Sequence, residues 1–130
     1  MTKKIIWDQQ KFSVGSKRLD EQHKELVSII NEMIDCIENE DNAALTRHFI
    51  NFASKVQTHF TTEEEILASI KYPALPEHIA KHRYYDERIS EFILKGIICC
   101  NNRLVQLLNQ WWTDHILKED MAYKGFVKNS

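Results

Sequence analysis

Four long stretches of this chain carry apolar residues at intervals of three and four, and short polar or proline-containing breaks separate them. This spacing is typical of helices that bury one face. The 130 residues include only three glycines and two prolines, so few residues interrupt a helix. We predict helices over about residues 20–38, 43–70, 76–96 and 98–119.

Local signals set the ends of these helices. Asp20 is a predicted N-cap for the first helix, Pro76 fits the first turn of the third, and Gly96 follows its last turn. Residues 1–18 form a predicted irregular N-terminal arm that is anchored by apolar side chains. Helices joined by short connections favour an all-α, up-down-up-down four-helix bundle, and we predict one domain over residues 1–130.

Composition narrows the class of protein. The net charge of −2 gives no reason to expect a nucleic acid partner. The first residues do not resemble a signal peptide, and no stretch approaches the roughly 20 apolar residues of a membrane span. We therefore expect a cytoplasmic protein that does not bind membranes. Cys36, Cys99 and Cys100 are odd in number and lack CxxC spacing, so we expect reduced thiols that serve as small packing groups.

Every predicted helix turns a histidine towards its apolar face. His23 lies on the first helix, and the second carries His59 with Glu63 four residues later. The third contains a pair four residues apart, and the fourth contains one more; these are His78, His82 and His115. In an up-down-up-down bundle all of these positions lie towards one end. The sixth histidine, His48, is about 16 Å along the helix from His59, so we assign it to the surface.

Buried imidazoles and carboxylates favour a metal site over isolated core residues. Burying them without partners would cost several kcal/mol, whereas a divalent metal binds neutral imidazole and ionised carboxylate. The candidates are too many for one tetrahedral zinc, and "HIAKH" lacks the glutamate with which zinc proteases activate water. Two metals bridged by two carboxylates fit better, although five histidines reverse the carboxylate-rich balance of many di-iron bundles.

The second candidate carboxylate, Asp120, has unusual spacing. It follows His115 by five residues, which is about 140° around a regular α-helix. We expect the helix to end or loosen there, so that Asp120 returns to the metal region. Glu64 and Glu65 point off the helix seam and are predicted to be a solvated face. Trp111 and Trp112 remain open between ordinary core packing and a wall of the metal pocket, together with Ile116.

Five segments in this order, "IIWDQQKFSVG", "LDEQHKEL", "HFTTEE", "HIAKH" and "WWTDHILKED", resemble the hemerythrin family, specifically its single-domain bacterial members. The resemblance covers nearly the whole chain. It implies a non-haem di-iron centre with an oxo or hydroxo bridge, and Glu63 and Asp120 as bridging ligands. One iron would take three histidines and the other two; the metal ligands are then His78, His82 and His115 for the first, and His23 and His59 for the second.

The resemblance also implies a function. The iron with two histidines would be five-coordinate and would bind dioxygen reversibly as hydroperoxide, so the chain would be an oxygen carrier, store or buffer and not an enzyme. Trp111, Trp112 and Ile116 are candidates for the walls of the oxygen pocket. We expect a monomer, and the protein that would receive the oxygen is unknown.

Two other functions stay open. One is an oxygen or redox sensor acting through a partner, which the lack of an attached signalling domain makes less favoured. The other is an enzyme that reduces peroxide or nitric oxide at the di-iron site. No inward general base beyond the ligands is evident in the sequence, which argues weakly against the enzyme.

Overall fold

The computed structural model describes residues 4–96 and 101–127, and this part of the chain contains helices and no strands. A short helix, α1 (Gln9–Phe12), precedes the bundle. The bundle is formed by α2 (Lys17–Glu38), α3 (Asn42–Ser69), α4 (Leu75–Lys95) and α5 (Asn101–Gln110). The chain continues without a break from α5 into a π-helix (Trp111–Asp120) and a 3-10 turn (Met121–Tyr123). The predicted all-α, four-helix class is confirmed.

Contacts between the helices show that neighbours run in opposite directions. His23 near the start of α2 meets His59 late in α3. At the other end of the bundle, Phe49 early in α3 packs against Phe92 late in α4. The side chains that begin α2 and α4 therefore share one end of the bundle with those that finish α3 and the π-helix.

The first bundle helix begins earlier than the sequence predicted. Ser16, and not Asp20, is the N-cap of α2, because its side chain accepts a hydrogen bond from the Leu19 amide. Asp20 instead lies buried in the first turn and accepts bonds from the Val14 amide (2.9 Å) and the Ser13 hydroxyl (2.6 Å). The carboxylate that looked like a cap thus fixes the N-terminal arm to the helix.

The N-terminal arm is more ordered than predicted, because Asp8 caps α1 through bonds from the Gln10 and Lys11 amides. The predicted ends of α3 and α4 are each within one residue of the structure. Pro76 lies in the first turn of α4, and Gly96 is its C-cap. The predicted start of the fourth helix, at 98, lies outside the described residues, and its predicted end at 119 falls short of the helical chain, which continues to Tyr123.

Two apolar clusters hold the bundle together. The larger one runs through the middle, between all four bundle helices, and includes Phe49, Phe52 and Trp111. The smaller one closes the histidine end; it consists of Val14, Leu19, Ile66, Leu67, Tyr72, Tyr123 and Val127. Because it draws on both terminal segments, the start and the finish of the described chain pack together over this end.

Cys36 is a free, buried cysteine in the larger cluster, as predicted, whereas Cys99 and Cys100 lie outside the described residues. Within residues 4–96 and 101–127, no helix combines the length and the apolar character required to traverse a lipid bilayer.

Candidate metal centre

The π-helix explains how His115 and Asp120 come to share a face. In a π-helix the backbone bonds link residues five apart, so a side chain lies above the one five residues earlier. His115 Nε2 and Asp120 Oδ1 are 3.4 Å apart, and both residues are fully buried. The helix does not end there but loosens, which is one of the two changes expected from the spacing. It widens its turn, and π-helical segments are frequent at functional sites.

All seven predicted side chains lie in one buried cluster, and each is at most 5% exposed. Their ligand atoms form two groups, in each of which every atom lies within 4.8 Å of the others. Both groups contain Glu63 and Asp120. They differ in their histidines: one group has His78, His82 and His115, and the other has His23 and His59.

The two carboxylates each divide their oxygens between these groups. Glu63 Oε1 lies 2.8 Å from His82 Nε2 and also contacts His78, whereas Oε2 lies 3.3 Å from His59 Nε2. Asp120 behaves in the same way. Its Oδ1 is 3.0 Å from His78 Nε2, and its Oδ2 is 3.1 Å from His23 Nε2. This is the arrangement of two carboxylates that can bridge two cations.

Several polar atoms of the cluster lack hydrogen-bond partners in the described part of the chain. They are His23 Nδ1, His115 Nε2 and both oxygens of Asp120. A buried polar atom without a partner costs about 1–3 kcal/mol, and more when it carries a charge. The Asp120 oxygens come close to imidazole nitrogens, but not in hydrogen-bonding directions. His23 Nδ1 lies on the outer side of its ring, since Nε2 faces the cluster. A metal ion inside the cluster would satisfy His115 Nε2 and the Asp120 oxygens, so the donor set fits a metal.

Electrostatics in the cluster link the carboxylates to protonated histidines. Burial alone would lower the pKa of His59, but the Glu63 and Asp120 carboxylates outweigh it and raise this pKa to about 9. The same balance, with Asp120 and Glu63 adjacent, raises the pKa of His78 to about 10. Burial and the neighbouring His59 lower the pKa of His23. The positive charges of protonated His59 and His78 thus balance the negative charges of Glu63 and Asp120.

The carboxylates show the matching shifts. Burial favours the neutral acid, but the pKa values of Glu63 and Asp120 still lie well below their ordinary range. Hydrogen bonds from histidines to Glu63, and positive charge on the histidines around both groups, favour the ionised carboxyls. Ionised carboxylates are the form that binds metals.

Outer hydrogen bonds orient three of the histidines. Glu64 accepts a bond from His82 Nδ1 at 2.7 Å, and Glu119 accepts one from His115 Nδ1 at 3.2 Å. Gln22 Oε1 lies 2.8 Å from His59 Nδ1. Each bond holds a proton on the outer nitrogen and leaves Nε2 available to a metal. The prediction that Glu64 belongs to a solvated face is therefore wrong, although the adjacent Glu65 is exposed.

Tyr123 is a further functional side chain that the sequence did not indicate. Its buried hydroxyl donates a 2.8 Å hydrogen bond to Glu63 Oε2, the oxygen that faces His59. Burial and the nearby carboxylates raise the pKa of Tyr123 well above its ordinary value, so the hydroxyl stays a donor. The residue lies in the 3-10 turn, beyond the predicted helix, where no periodic pattern pointed to it.

Aromatic side chains enclose the cluster. The Phe60 ring stacks on His82, with centroids 3.8 Å apart and planes within 7°. Tyr85 and Trp111 lie against His115, at 5.0 and 6.3 Å between centroids, and Ile116 is fully buried. Trp112 instead packs against the arm, on Trp7 and Phe12. Its role as a pocket wall stays a prediction.

His48 lies away from the cluster. Its Nδ1 pairs with Glu32 at 2.9 Å, and its side chain is 30% exposed. This is the surface position expected from its distance along the helix.

Comparison with known proteins gives the family. A sequence model of the hemerythrin HHE cation binding domain matches residues 14–127, which is most of the chain. The chain belongs to the hemerythrin family. As a hemerythrin-family member it carries the histidine and carboxylate cluster that can hold a metal ion in this fold.

Named relatives align along most of their length. A hemerythrin-like protein of Naegleria gruberi is 31% identical over 121 residues, which cover 93% of this chain and 92% of that protein. The bacteriohemerythrin of Pseudomonas aeruginosa (strain PAO1) is 26% identical over 128 residues, covering 97% of this chain and 83% of the relative. The bacteriohemerythrin of Clostridium acetobutylicum is 25% identical, covering 92% of this chain and 98% of the relative.

Solved structures of hemerythrin variants share the fold. A crystal structure of a leucine-to-tyrosine hemerythrin variant superposes with a TM-score of 0.79 at 18% identity, covering 94% of this chain and 95% of that one. A second hemerythrin variant, with phenylalanine in place of the same leucine, gives the same TM-score. These similarities support the four-helix hemerythrin fold.

Proposed function

We propose that this chain holds two iron ions and binds dioxygen reversibly, as a carrier, store or buffer. In this proposal His78, His82 and His115 hold one iron, and His23 and His59 hold the other. Glu63 and Asp120 bridge the pair. The observation that carries the proposal is the division of each carboxylate, with one oxygen facing each histidine group.

An iron pair held in this way would supply the electrons that reversible dioxygen binding requires. The residues of the chain would set the conditions for that chemistry. The group with two histidines provides one imidazole fewer than the other, and this favours an additional ligand on its side. Trp111 and Ile116 are at most 1% exposed and would keep water away from the pair. Tyr123 would hold Glu63 in its bridging orientation.

The proposed role is binding and not catalysis. We also propose that the chain works as a cytoplasmic monomer and hands oxygen to an acceptor of unknown identity. Rapid turnover of peroxide or nitric oxide would contradict this role and favour an enzyme. A specific partner protein recovered by pull-down would favour a sensor.

Iron content and the visible spectrum test the proposal directly. Iron-loaded protein would be reduced without air, exposed to oxygen and degassed again. We expect two irons per chain, and a charge-transfer band that develops with oxygen and disappears on degassing. Immediate conversion to a stable oxidised form, without an oxygenated species, would contradict reversible binding.

Removing a proposed ligand tests the site itself. We expect His115→Ala to hold fewer than two irons and to melt at a lower temperature, because a bound metal at 100 times its dissociation constant stabilises a fold by about 2.7 kcal/mol. His48→Ala is the matched control, since it removes a histidine from the surface, and it should keep both irons. Wild-type iron content in His115→Ala, measured by elemental analysis, would disprove the assignment.

A further inference from the structure

The two histidine groups have different outer hydrogen-bond partners. On the side with three histidines, His82 and His115 each donate an Nδ1 proton to a carboxylate, Glu64 and Glu119 respectively. On the side with two, His59 faces the neutral amide of Gln22. His23 Nδ1 has no hydrogen-bond partner among residues 4–96 and 101–127. One side therefore has two anionic partners, and the other has none.

The amide on the second side is held in a definite orientation. The Thr62 hydroxyl donates its only proton to the Thr58 carbonyl oxygen at 3.0 Å. It can then only accept from Gln22, whose Nε2 lies 3.2 Å away. Because the amide nitrogen faces Thr62, the amide oxygen faces His59 Nδ1. Thr62 is buried, so this network fixes a neutral acceptor behind His59.

We propose that this unequal set of partners makes the two metal positions electronically unequal, with Glu64, Glu119 and Gln22 as positioning residues that tune them. The inference rests on the proposed di-iron function. A carboxylate that accepts a proton from a metal-bound histidine raises the basicity of that ligand. The position with His82 and His115 therefore favours iron(III), and the position with His23 and His59 favours iron(II).

Other charges near these partners leave the asymmetry in place. Lys81 lies 3.5 Å from Glu119, but its side chain is 59% exposed, so the ion pair is weak. Glu64 and Glu119 are 34% and 19% exposed in their side chains, and each contacts its imidazole directly. A direct bond is screened much less than a charge at a distance. Asp86, which interacts electrostatically with Glu64 and His82, adds negative charge on the same side.

The consequence would be a division of roles within the pair. The position with more basic histidines would keep its higher oxidation state more readily. The position beside Gln22 would return more readily to iron(II), the reduced state from which electrons can be given to dioxygen. The neutral partners would therefore act on the same position that already has one imidazole fewer, whereas the bridging carboxylates are shared by both positions.

Electrochemistry of the iron-loaded protein tests the inference, because each iron(III) accepts one electron from the electrode. Unequal positions separate the two reduction steps. We expect Glu64→Gln to raise the lower of the two reduction potentials. Gln22→Glu should lower the upper potential. Each change should reduce the difference between the two potentials. The double variant carrying both changes keeps the wild-type net charge and should reduce this difference most.

Matched controls separate position from net charge and from packing. Glu65→Gln removes the same charge from an exposed neighbour of Glu64 and should leave both steps unchanged. Thr62→Val removes the bond to Gln22 without adding charge, and should not reproduce the effect of Gln22→Glu. Glu119→Gln repeats the test on the first side if Glu64→Gln does not fold. The same difference between the two reduction potentials in Glu64→Gln and Glu65→Gln would overturn the proposal.

A redox-silent metal gives a second readout. We expect Glu64→Gln to weaken zinc binding by the metal-free protein about tenfold, the lower end of effects from outer partners, while Glu65→Gln binds as the wild type does. Equal zinc affinities in these two variants would contradict the proposal. The result is independent of oxygen binding: if the wild-type protein held two irons but bound no oxygen reversibly, the proposed function would fail while the potentials would still decide this inference.

Discussion

The Glu63 carboxylate is positioned by contacts with several individual side chains. The carboxylate meets histidines from three helices and a tyrosine from the 3-10 turn. The tyrosine bond is the one contact in this set that no metal would replace, because a phenol hydroxyl stays protonated here. Its loss should therefore be measurable with or without a metal.

We expect Tyr123→Phe to lower the free energy of unfolding by about 1.5–3 kcal/mol, because it removes a buried hydrogen bond to a charged group but keeps the ring. Denaturant unfolding of the iron-loaded protein measures this loss. Tyr72→Phe is the control, since this ring packs against Tyr123 and its hydroxyl has no hydrogen bond to the cluster within the part of the chain that the structure describes. Equal stability of the two variants would show that the bond contributes nothing.

The proposed ligands could be predicted because each one interrupts an apolar stripe with a polar side chain. His59 and Glu63 continue the stripe through Val56, and no solvated role fits that position. The outer partners gave no such signal. Gln22 and Glu64 lie on polar helix faces, where a glutamine or glutamate is ordinary, and only the packing of two helices shows which histidine each one meets.

Among the secondary-structure elements, the π-helix carries the largest difference from the sequence prediction. Spacing alone placed Asp120 off the face of His115, and the sequence could indicate only that the helix must change there. The change is a wider turn, which the 3.6-residue period cannot reveal. It also places Glu119 on the outer side, where it bonds His115 Nδ1.

The π-helix predicts which acid is required. In a regular α-helix Glu119 would share a face with His115, four residues earlier. In this register Asp120 takes that place, so Asp120→Ala should hold fewer than two irons, although Glu119 remains. Glu119→Gln should still bind two irons at saturating metal. Two irons in Asp120→Ala together with fewer than two in Glu119→Gln would contradict this assignment.

The junction between the arm and the C-terminal segment gives a prediction on stability. Gly15 has a φ of +90°, and a Cβ there would meet the Lys124 and Val127 carbonyl oxygens at 3.3 and 3.4 Å. We expect Gly15→Ala to lower the free energy of unfolding by about 1–2 kcal/mol, from backbone strain alone. Gly125→Ala meets nothing within 4 Å and is the control. Equal melting temperatures of Gly15→Ala and Gly125→Ala would contradict this expected loss of stability.

For the chain as a whole, metal binding should be coupled to proton release. At pH 7 His59 and His78 carry protons in the metal-free protein, because their pKa values are raised to about 9 and 10. A metal binds neutral imidazole, so loading should release about two protons per chain at pH 7, and fewer as the pH passes 10. Calorimetry of zinc binding in buffers of different ionisation enthalpy measures this number.

The same shifts set the pH dependence of the metal-free fold. A histidine whose pKa is higher in the folded protein contributes stability that is complete below pH 6.5 and is lost as the pH rises through 9 to 10. The metal-free protein should therefore lose stability between pH 7 and 10. No proton release at pH 7, together with a flat stability profile over that interval, would contradict the assigned protonation.

The small apolar cluster over the histidine end has a consequence for biosynthesis. A nascent chain that has emerged from the ribosome as far as Glu63 offers only three of the seven proposed ligands, and Asp120 follows His23 by 97 residues. Tyr123 and Val127, which close this end, emerge later still. Translation must therefore have passed Asp120 before a bridged pair of ions can assemble, and metal content reports that the polypeptide has been made and folded through the π-helix.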